Sequence, residues 1–152
     1  MSTADVVLRV AVPERAETVW AAATDWARQG EWMLGTEVDV VGGDGRSVGS
    51  RLAAFTGAGG IGFLDRMEIT GWDPPRSVAV RHTGRLVRGE GGFRILPHDG
   101  GERCTFLWEE RLTLPLGALG GLGWAMVRPA FEWGLRRSLT DFARLCRDYR
   151  ED

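Results

Sequence analysis

The chain contains no lysine and no asparagine, and all 19 of its basic residues are arginine. Without lysine there is no Walker-type phosphate loop, no Schiff-base chemistry and no lysine general base, since each of these needs the lysine amine. Isoleucine is also scarce, with three residues. These biases together indicate a GC-rich coding sequence, so the excess of arginine says little about function.

Cysteine and histidine are scarce as well, with two residues of each. Cys104 and Cys146 lie far apart in sequence, and with only His82 and His98 beside them they lack the ligand spacing of a structural zinc site. We therefore expect no metal and no cofactor, and two reduced thiols in a cytoplasmic protein. The opening sequence MSTADVVLRV agrees, because it lacks the basic and apolar regions of a signal peptide.

The charge of the chain is nearly balanced, with a formal net charge of -2 and a pI of about 5.7. Acidic and basic residues are interspersed, so no nucleic-acid partner is expected. One uncharged run, LTLPLGALGGLGWAMV at residues 112–127, falls short of the ~20 apolar residues of a membrane span. The length of 152 residues predicts a single domain, residues 1–152.

Hydrophobic periodicity predicts the order of the secondary-structure elements. An alternating strand ends before Pro13 and is followed by two short helices, ERAETVWAAATD and DWARQGEWM. Between residues 37 and 112, turn signals such as GGDG, GAGG, WDPP and PHDGG separate about six more antiparallel strands. Apolar residues at helical spacing then predict a long C-terminal helix, with the stripe Phe131, Leu135, Leu139, Phe142, Cys146 and Tyr149. The sheet needs a cover on its apolar face, and this helix is long enough to provide it.

The words VPERAETVW, TDW...EW, GWDPPRSVAV and RPAF..GLRRSL follow this same order over nearly the whole chain. In order and spacing they resemble the START-like superfamily, also called SRPBCC, and within it the bacterial polyketide cyclase/dehydrase and lipid transport proteins. The resemblance implies an α+β helix-grip fold, with a curved seven-stranded antiparallel sheet around the C-terminal helix and two short helices between strands 1 and 2. It also implies an apolar cavity that binds a lipid, a polyketide or another small hydrophobic molecule. The family has no shared catalytic motif, so no catalytic residue follows from the resemblance.

Strand parity predicts which side chains face such a cavity, because residues i and i+2 share a face. A hairpin centred near the WDPP turn places Met67 opposite Val80 and Asp65 opposite His82. An apolar face that ends in an Asp/His pair favours a polar contact with a ligand. Plainer interpretations remain open: His82 lies in water at a strand end, Asp65 merely begins its strand, or a register slip turns both outward.

Glu110 is the third polar candidate on the same predicted face. The hairpin through PHDGG places it opposite Gly89, and Gly89 and Gly91 leave room for its side chain. The alternative is a salt bridge at the rim of the sheet with Arg51 or Arg111.

Two sets of candidate residues follow from this pattern. The catalytic candidates are His82 and Asp65. The ligand-binding candidates are Glu110, Arg51, Phe63, Met67, Val80, Phe93, Phe106, Trp108, Trp124 and Phe131.

Three functions remain open at this point. The leading hypothesis is a binding protein, monomeric or homodimeric, for a small hydrophobic molecule of polyketide or lipid type. The second is a cyclase or dehydratase in which His82, oriented by Asp65, removes a proton beside a ketone while Arg51 polarises the carbonyl. The third is a protein-interaction or regulatory module.

The uncharged run does not have the spacing or the following parallel strand of a dinucleotide-binding loop. Instead, its position predicts a hinge and lid, with Pro129 in the first turn of the last helix. The apolar residues expected to cover the cavity contents are Leu116, Leu119, Leu122, Trp124 and Met126. A fixed core segment and a dimer contact are the other interpretations.

Overall fold

The computed structural model describes residues 3–113 and 118–150, with the side chains of residues 118 and 119 left aside. The described strands are β1 (Thr3–Val12), β2 (Thr36–Gly42), β3 (Arg51–Ala58), β4 (Ile61–Asp73), β5 (Ser77–Thr83), β6 (Arg88–His98) and β7 (Arg103–Thr113). The helices are α1 (Ala16–Ala23) and α2 (Ala118–Asp148), together with two 3₁₀ helices, η1 (Trp26–Glu31) and η2 (Asp99–Gly101).

The strands form one seven-stranded antiparallel sheet in the order β1-β7-β6-β5-β4-β3-β2. The sheet curves around α2, and α1 and η1 lie between β1 and β2 in the chain. This is the α+β helix-grip fold that the family resemblance implied.

The core lies between the concave face of the sheet and the C-terminal half of α2. Phe142 of the predicted helix stripe is fully buried, as is Phe106 of β7, and the centroids of their rings are 4.4 Å apart. Trp32, which follows η1, closes this group with its ring centroid 4.7 Å from that of Phe142. Aromatic packing therefore fixes α2 against the sheet and η1.

The pairing of β4 with β5 differs from the prediction. Met67, and not Asp65, lies opposite His82, and Val80 lies opposite Ile69. The predicted turn was centred too early, because both prolines of WDPP belong to the connection between Asp73 and Ser77. Proline cannot donate a ladder hydrogen bond, so this connection is longer than predicted.

A β-bulge at Thr70 decides which face the polar residues of β4 occupy. Beyond the bulge Trp72 pairs with Val78, and before it Ile69 pairs with Val80. Without the extra residue, Asp65 would share a face with the odd-numbered residues of β5, on the side of the sheet opposite His82. The register prediction was therefore wrong by two residues, and the predicted face was nevertheless right.

The pairing of β6 with β7 is also displaced by two residues. Gly91, and not Gly89, lies opposite Glu110, and Phe93 lies opposite Trp108. The connection between His98 and Arg103 contains η2, which moves the turn further along the chain than PHDGG suggested. The displacement is even, so the predicted inner face is retained.

The N-terminal half of α2 differs most from the sequence prediction. Pro129 lies inside α2 (Ala118–Asp148) and not in its first turn. Proline inside a helix loses one backbone hydrogen bond and crowds the carbonyl four residues before it, which is why the sequence favoured the first turn. Of the predicted covering residues, Leu122 and Met126 are 65% and 79% exposed, and the side chains of Leu116 and Leu119 lie outside the described residues.

Among the described residues that were predicted to cover the cavity, Trp124 is the one that is partly buried. Its ring lies 5.2 Å from that of Phe131, measured between centroids. Within the described ranges, neither α2 nor any other helix combines the length and apolar character needed to cross a membrane.

Replacing Phe142 by alanine tests the aromatic core. We expect the free energy of unfolding to fall by about 3–5 kcal/mol in urea titrations, because a fully buried ring leaves a cavity. Trp133→Ala on the same helix is the control, since Trp133 is 61% exposed and its loss should change stability by less than about 1 kcal/mol. Equal effects of the two substitutions would contradict this packing.

Candidate functional site

Two adjoining chambers lie between the sheet and the helices. The inner chamber, about 90 Å³, is walled mainly by apolar side chains of the sheet and η1, among them Trp26, Met67, Val80 and Phe93. The outer chamber, about 320 Å³, is walled by Phe63 and by residues of α2 that include Phe131, Gly134 and Leu135. Both chambers are therefore largely apolar, as pockets for small organic molecules commonly are.

Asp65, His82 and Glu110 line both chambers, and we call these three residues the polar cluster. His82 Nδ1 lies 2.9 Å from Asp65 Oδ1, and His82 Nε2 lies 2.7 Å from Glu110 Oε2. The side chains of Asp65, His82 and Glu110 are only 16%, 4% and 12% exposed. The structure thus brings together the three polar residues that strand parity selected.

Glycine in β6 lets the polar cluster extend across three strands. His82 lies on β5 and Glu110 on β7, with β6 between them. A Cβ atom at Gly91 would collide with the Glu110 carboxylate. Since neighbouring strands are ~4.8 Å apart, the imidazole and the carboxylate can meet only where β6 contributes no side chain.

His82 is positively charged in this setting. Burial alone lowers its pKa, but hydrogen bonds and the negative charges of Asp65 and Glu110 outweigh burial and raise the pKa from 6.5 to about 10. Each ring nitrogen then donates a proton to a carboxylate. Charge-assisted hydrogen bonds of this kind are stronger than neutral ones and hold the ring in one orientation.

This geometry argues against His82 as the group that accepts a proton from a substrate. Both ring nitrogens already face carboxylates, so neither has a free lone pair directed into a chamber. The carboxylates are better placed to contact a ligand. Glu110 Oε1 accepts a hydrogen bond from Trp108 Nε1 at 2.9 Å, whereas Asp65 Oδ2 has no hydrogen-bond donor among the described residues.

Arg51 lies away from both chambers, contrary to the role predicted for it. The residue is exposed on the outer face of β3, and its guanidinium lies over Gly42. Alternation along the strand turns Leu52 inward and Arg51 outward. The other proposed rim partner of Glu110, Arg111, is paired with Asp5 at 3.0 Å.

The remaining candidates divide into wall residues and core residues. Met67, Val80 and Phe93 line the inner chamber, Phe63 and Phe131 line the outer chamber, and Trp108 lines both. Phe106 is fully buried in the aromatic core and Trp124 packs against Phe131, and neither lines a chamber.

Four polar wall residues were missed by the sequence reasoning, among them Ser138 of α2, which lines the outer chamber. Gln29 of η1 is 4% exposed and lines the inner chamber, and its Oε1 has no hydrogen-bond partner. Thr36 and Thr56 line both chambers and share a hydrogen bond of 2.9 Å. A sequence signal existed for Gln29, which is the one glutamine of the chain and lies between Trp26 and Trp32.

The polar cluster is not arranged to hold a metal ion. Its two carboxylates bind opposite nitrogens of one imidazole, so the three side chains do not converge on a common point. In the part of the chain that the structure describes, no group of three His, Cys, Asp or Glu side chains could hold a metal.

The stability of the protein should depend on pH through His82. The folded protein keeps a proton that the unfolded chain loses above pH 6.5, so raising the pH favours unfolding until the folded pKa of about 10 is passed. We expect the free energy of unfolding to fall by roughly 1.5 kcal/mol between pH 6.5 and ~8, below the ordinary cysteine titration. In urea titrations, His82→Gln should not show this fall. The same dependence of unfolding free energy on pH in both proteins would contradict the role of His82.

Comparison with other proteins agrees with the fold. Residues 3–147 match the sequence model of the family described as "Polyketide cyclase / dehydrase and lipid transport". No curated protein matches the chain significantly in sequence.

The chain is also similar to several solved structures. The Zhui aromatase/cyclase from Streptomyces is 16% identical, with a TM-score of 0.78 over 96% of this chain and 94% of that one. A Thermus thermophilus protein is 19% identical, with a TM-score of 0.77 over 94% and 97%. A START superfamily protein from Mycobacterium smegmatis is 16% identical, with a TM-score of 0.69 over 89% and 93%. At these identities the likeness shows the fold, and the match over residues 3–147 shows that the chain belongs to the polyketide cyclase/dehydrase and lipid transport family.

Proposed function

We propose that this protein binds a small, largely apolar molecule in the two chambers and orients it by contact with the polar cluster. The observation that carries the proposal is the position of Asp65, His82 and Glu110, which lie in the walls of both chambers. An apolar pocket with a few convergent polar groups is the usual composition of a small-molecule site.

The two kinds of wall have different roles in this proposal. Apolar walls supply affinity, at roughly 25 cal/mol for each Å² of apolar surface removed from water. The polar cluster supplies orientation, because hydrogen bonds to buried charged groups reject a ligand that leaves them unpaired. A polyketide or lipid-like ligand agrees with the family description and with the aromatase/cyclase activity of the Streptomyces neighbour.

A catalytic role is the second candidate, and one feature favours it. Asp65 Oδ2 lacks a hydrogen-bond donor among the described residues although the carboxylate lines both chambers. In a cyclase or dehydratase this oxygen would accept the substrate proton, and His82 would orient the carboxylate. Asp65→Asn should then abolish turnover of a candidate polyketide while its binding persists.

Filling the outer chamber from α2 tests the binding proposal. Gly134 lines this chamber, and a Cβ atom there meets nothing within 4 Å. Gly134→Leu should therefore weaken binding of naphthylmethanol, a neutral apolar probe, at least tenfold in isothermal calorimetry. The melting temperature should not fall, because leucine has a higher helix propensity than glycine.

Gly123→Leu is the matched control for this substitution. Gly123 also lies in α2 with open space around its Cβ position, but it is exposed and lines neither chamber. The control should bind naphthylmethanol as the unmodified protein does. Equal binding of naphthylmethanol by Gly134→Leu and Gly123→Leu would refute a ligand site between the sheet and α2.

A further inference from the structure

With one proton in each of its two hydrogen bonds, the polar cluster carries a net negative charge whichever group holds each proton. Two carboxylates and one imidazole are joined by two hydrogen bonds, each of which contains one proton. With both protons on His82 the charges are two negative and one positive. Moving a proton from the ring to Asp65 or Glu110 neutralises both partners, so the sum remains one negative charge.

Neither chamber wall provides a cation to balance this charge. Among the described residues, no arginine lines either chamber, and the chain has no lysine. Arg111 is paired with Asp5, and Arg81 is paired with Glu68 on the outer side of the sheet. A buried charge without a partner is costly, and proteins normally pair it or neutralise it.

Several hydrogen-bond donors in the chamber walls already have acceptors, while the Ser138 hydroxyl in the outer chamber accepts from Leu34 N and remains a neutral donor. Trp26 Nε1 donates to Gly45 O at 2.8 Å, and Trp108 Nε1 donates to Glu110 Oε1 at 2.9 Å. Thr36 Oγ1 can donate to Leu34 O at 3.2 Å, which leaves Thr56 as the donor in the bond between the two threonines.

Acceptors, in contrast, remain free. Gln29 Oε1 is buried without a partner in the wall of the inner chamber. Asp65 Oδ2 also lacks a donor within the described part of the chain. The chambers therefore offer oxygen acceptors and an unbalanced negative charge, and no arginine in their described walls could receive an anion.

We propose that the ligand is an apolar amine whose protonated nitrogen binds at the polar cluster, donating to Asp65 and reaching the Gln29 oxygen from the inner chamber. This inference rests on the proposed ligand site and adds the charge of the ligand to it. The ammonium group would be the missing counter-ion of the cluster, and its N–H groups would satisfy the free acceptors.

The aromatic walls fit the same ligand. Trp26 and Trp108 both line the inner chamber, and Trp108 contacts Glu110 of the polar cluster. Indole faces attract cations in addition to apolar groups. A fatty acid or another carboxylate, in contrast, would bring a second uncompensated negative charge against Asp65 and Glu110, and like charges repel strongly at low exposure.

Three probes with one ring system and different polar groups test the charge preference. Naphthylmethylamine, naphthylmethanol and naphthoate are titrated by calorimetry into the full chain at neutral pH. We expect the amine to bind at least tenfold more tightly than the alcohol, and the carboxylate to bind most weakly. An alcohol or carboxylate that binds as tightly as the amine would overturn the amine proposal and leave the ligand site standing. Absence of binding by all three probes would overturn both.

Variants that replace one carboxylate by a neutral amide show which residue causes the preference for the amine. Asp65→Asn should reduce the ratio of amine to alcohol affinity at least tenfold. Glu109→Gln is the control, because Glu109 is next to Glu110 in β7 but pairs with Arg94 on the outer face of the sheet. This control should keep the ratio of the unmodified protein. A ratio that is unchanged in Asp65→Asn, or equally reduced in both variants, would place the selectivity elsewhere and contradict the proposal.

Gln29→Met provides an independent test that can be used if Asp65→Asn does not fold. Methionine has a similar length but no amide, so the unpartnered buried oxygen is removed. We expect the melting temperature of the free protein to stay level or rise while amine affinity falls about fivefold or more and alcohol affinity changes less. A fall in melting temperature with unchanged amine affinity would show that Gln29 is only structural and would remove it from the proposed site.

Discussion

The imidazole of His82, held between two carboxylates, is the interaction on which the arrangement of the cavity depends. Its two nitrogens contact carboxylates that are carried by β4 and β7. Two local irregularities make this possible. The bulge at Thr70 turns Asp65 to the inner face, and the glycine at position 91 leaves the path across β6 open. Neither feature contributes a side chain to the cluster, yet each determines whether the cluster can form.

The cluster also explains why the space around it is open. Three ionisable side chains in one place interrupt the apolar packing that fills the rest of the concave face, where Phe106, Phe142 and Trp32 are in direct contact. The two chambers lie on either side of this interruption. Helix α2 has a different role in each half: residues around Phe142 close the core, while Phe131 and Leu135 form the wall of the outer chamber. One helix thus contributes both to the core and to the wall of the outer chamber.

The sequence predicted correctly which face of the sheet the polar side chains occupy. It misplaced the features that depend on the length of a turn or of a helix. Parity alone assigned Asp65, His82 and Glu110 to one face, because a two-residue slip keeps every side chain on its side. Exact pairing depended on turn length and on the bulge at Thr70, and neither has a reliable local signal. The start of α2 was misjudged because proline is tolerated inside this helix as well as at its first turn. Arg51 was assigned to the cavity because an arginine could polarise a carbonyl, although its alternation with the inward-facing Leu52 turns it outward. Gln29 was overlooked because it lies in a short helix.

Nuclear magnetic resonance of the His82 ring nitrogens tests most directly whether a charged ring organises the cavity. If the ring is an imidazolium held between Asp65 and Glu110, both nitrogens should have the chemical shifts of protonated imidazole at neutral pH. Each should also carry a slowly exchanging, downfield proton, and the ring should titrate near pH 10. One unprotonated nitrogen at neutral pH, with titration close to 6.5, would mean that the two carboxylates do not enclose a charged ring, and the cavity would then have to be organised by some other interaction.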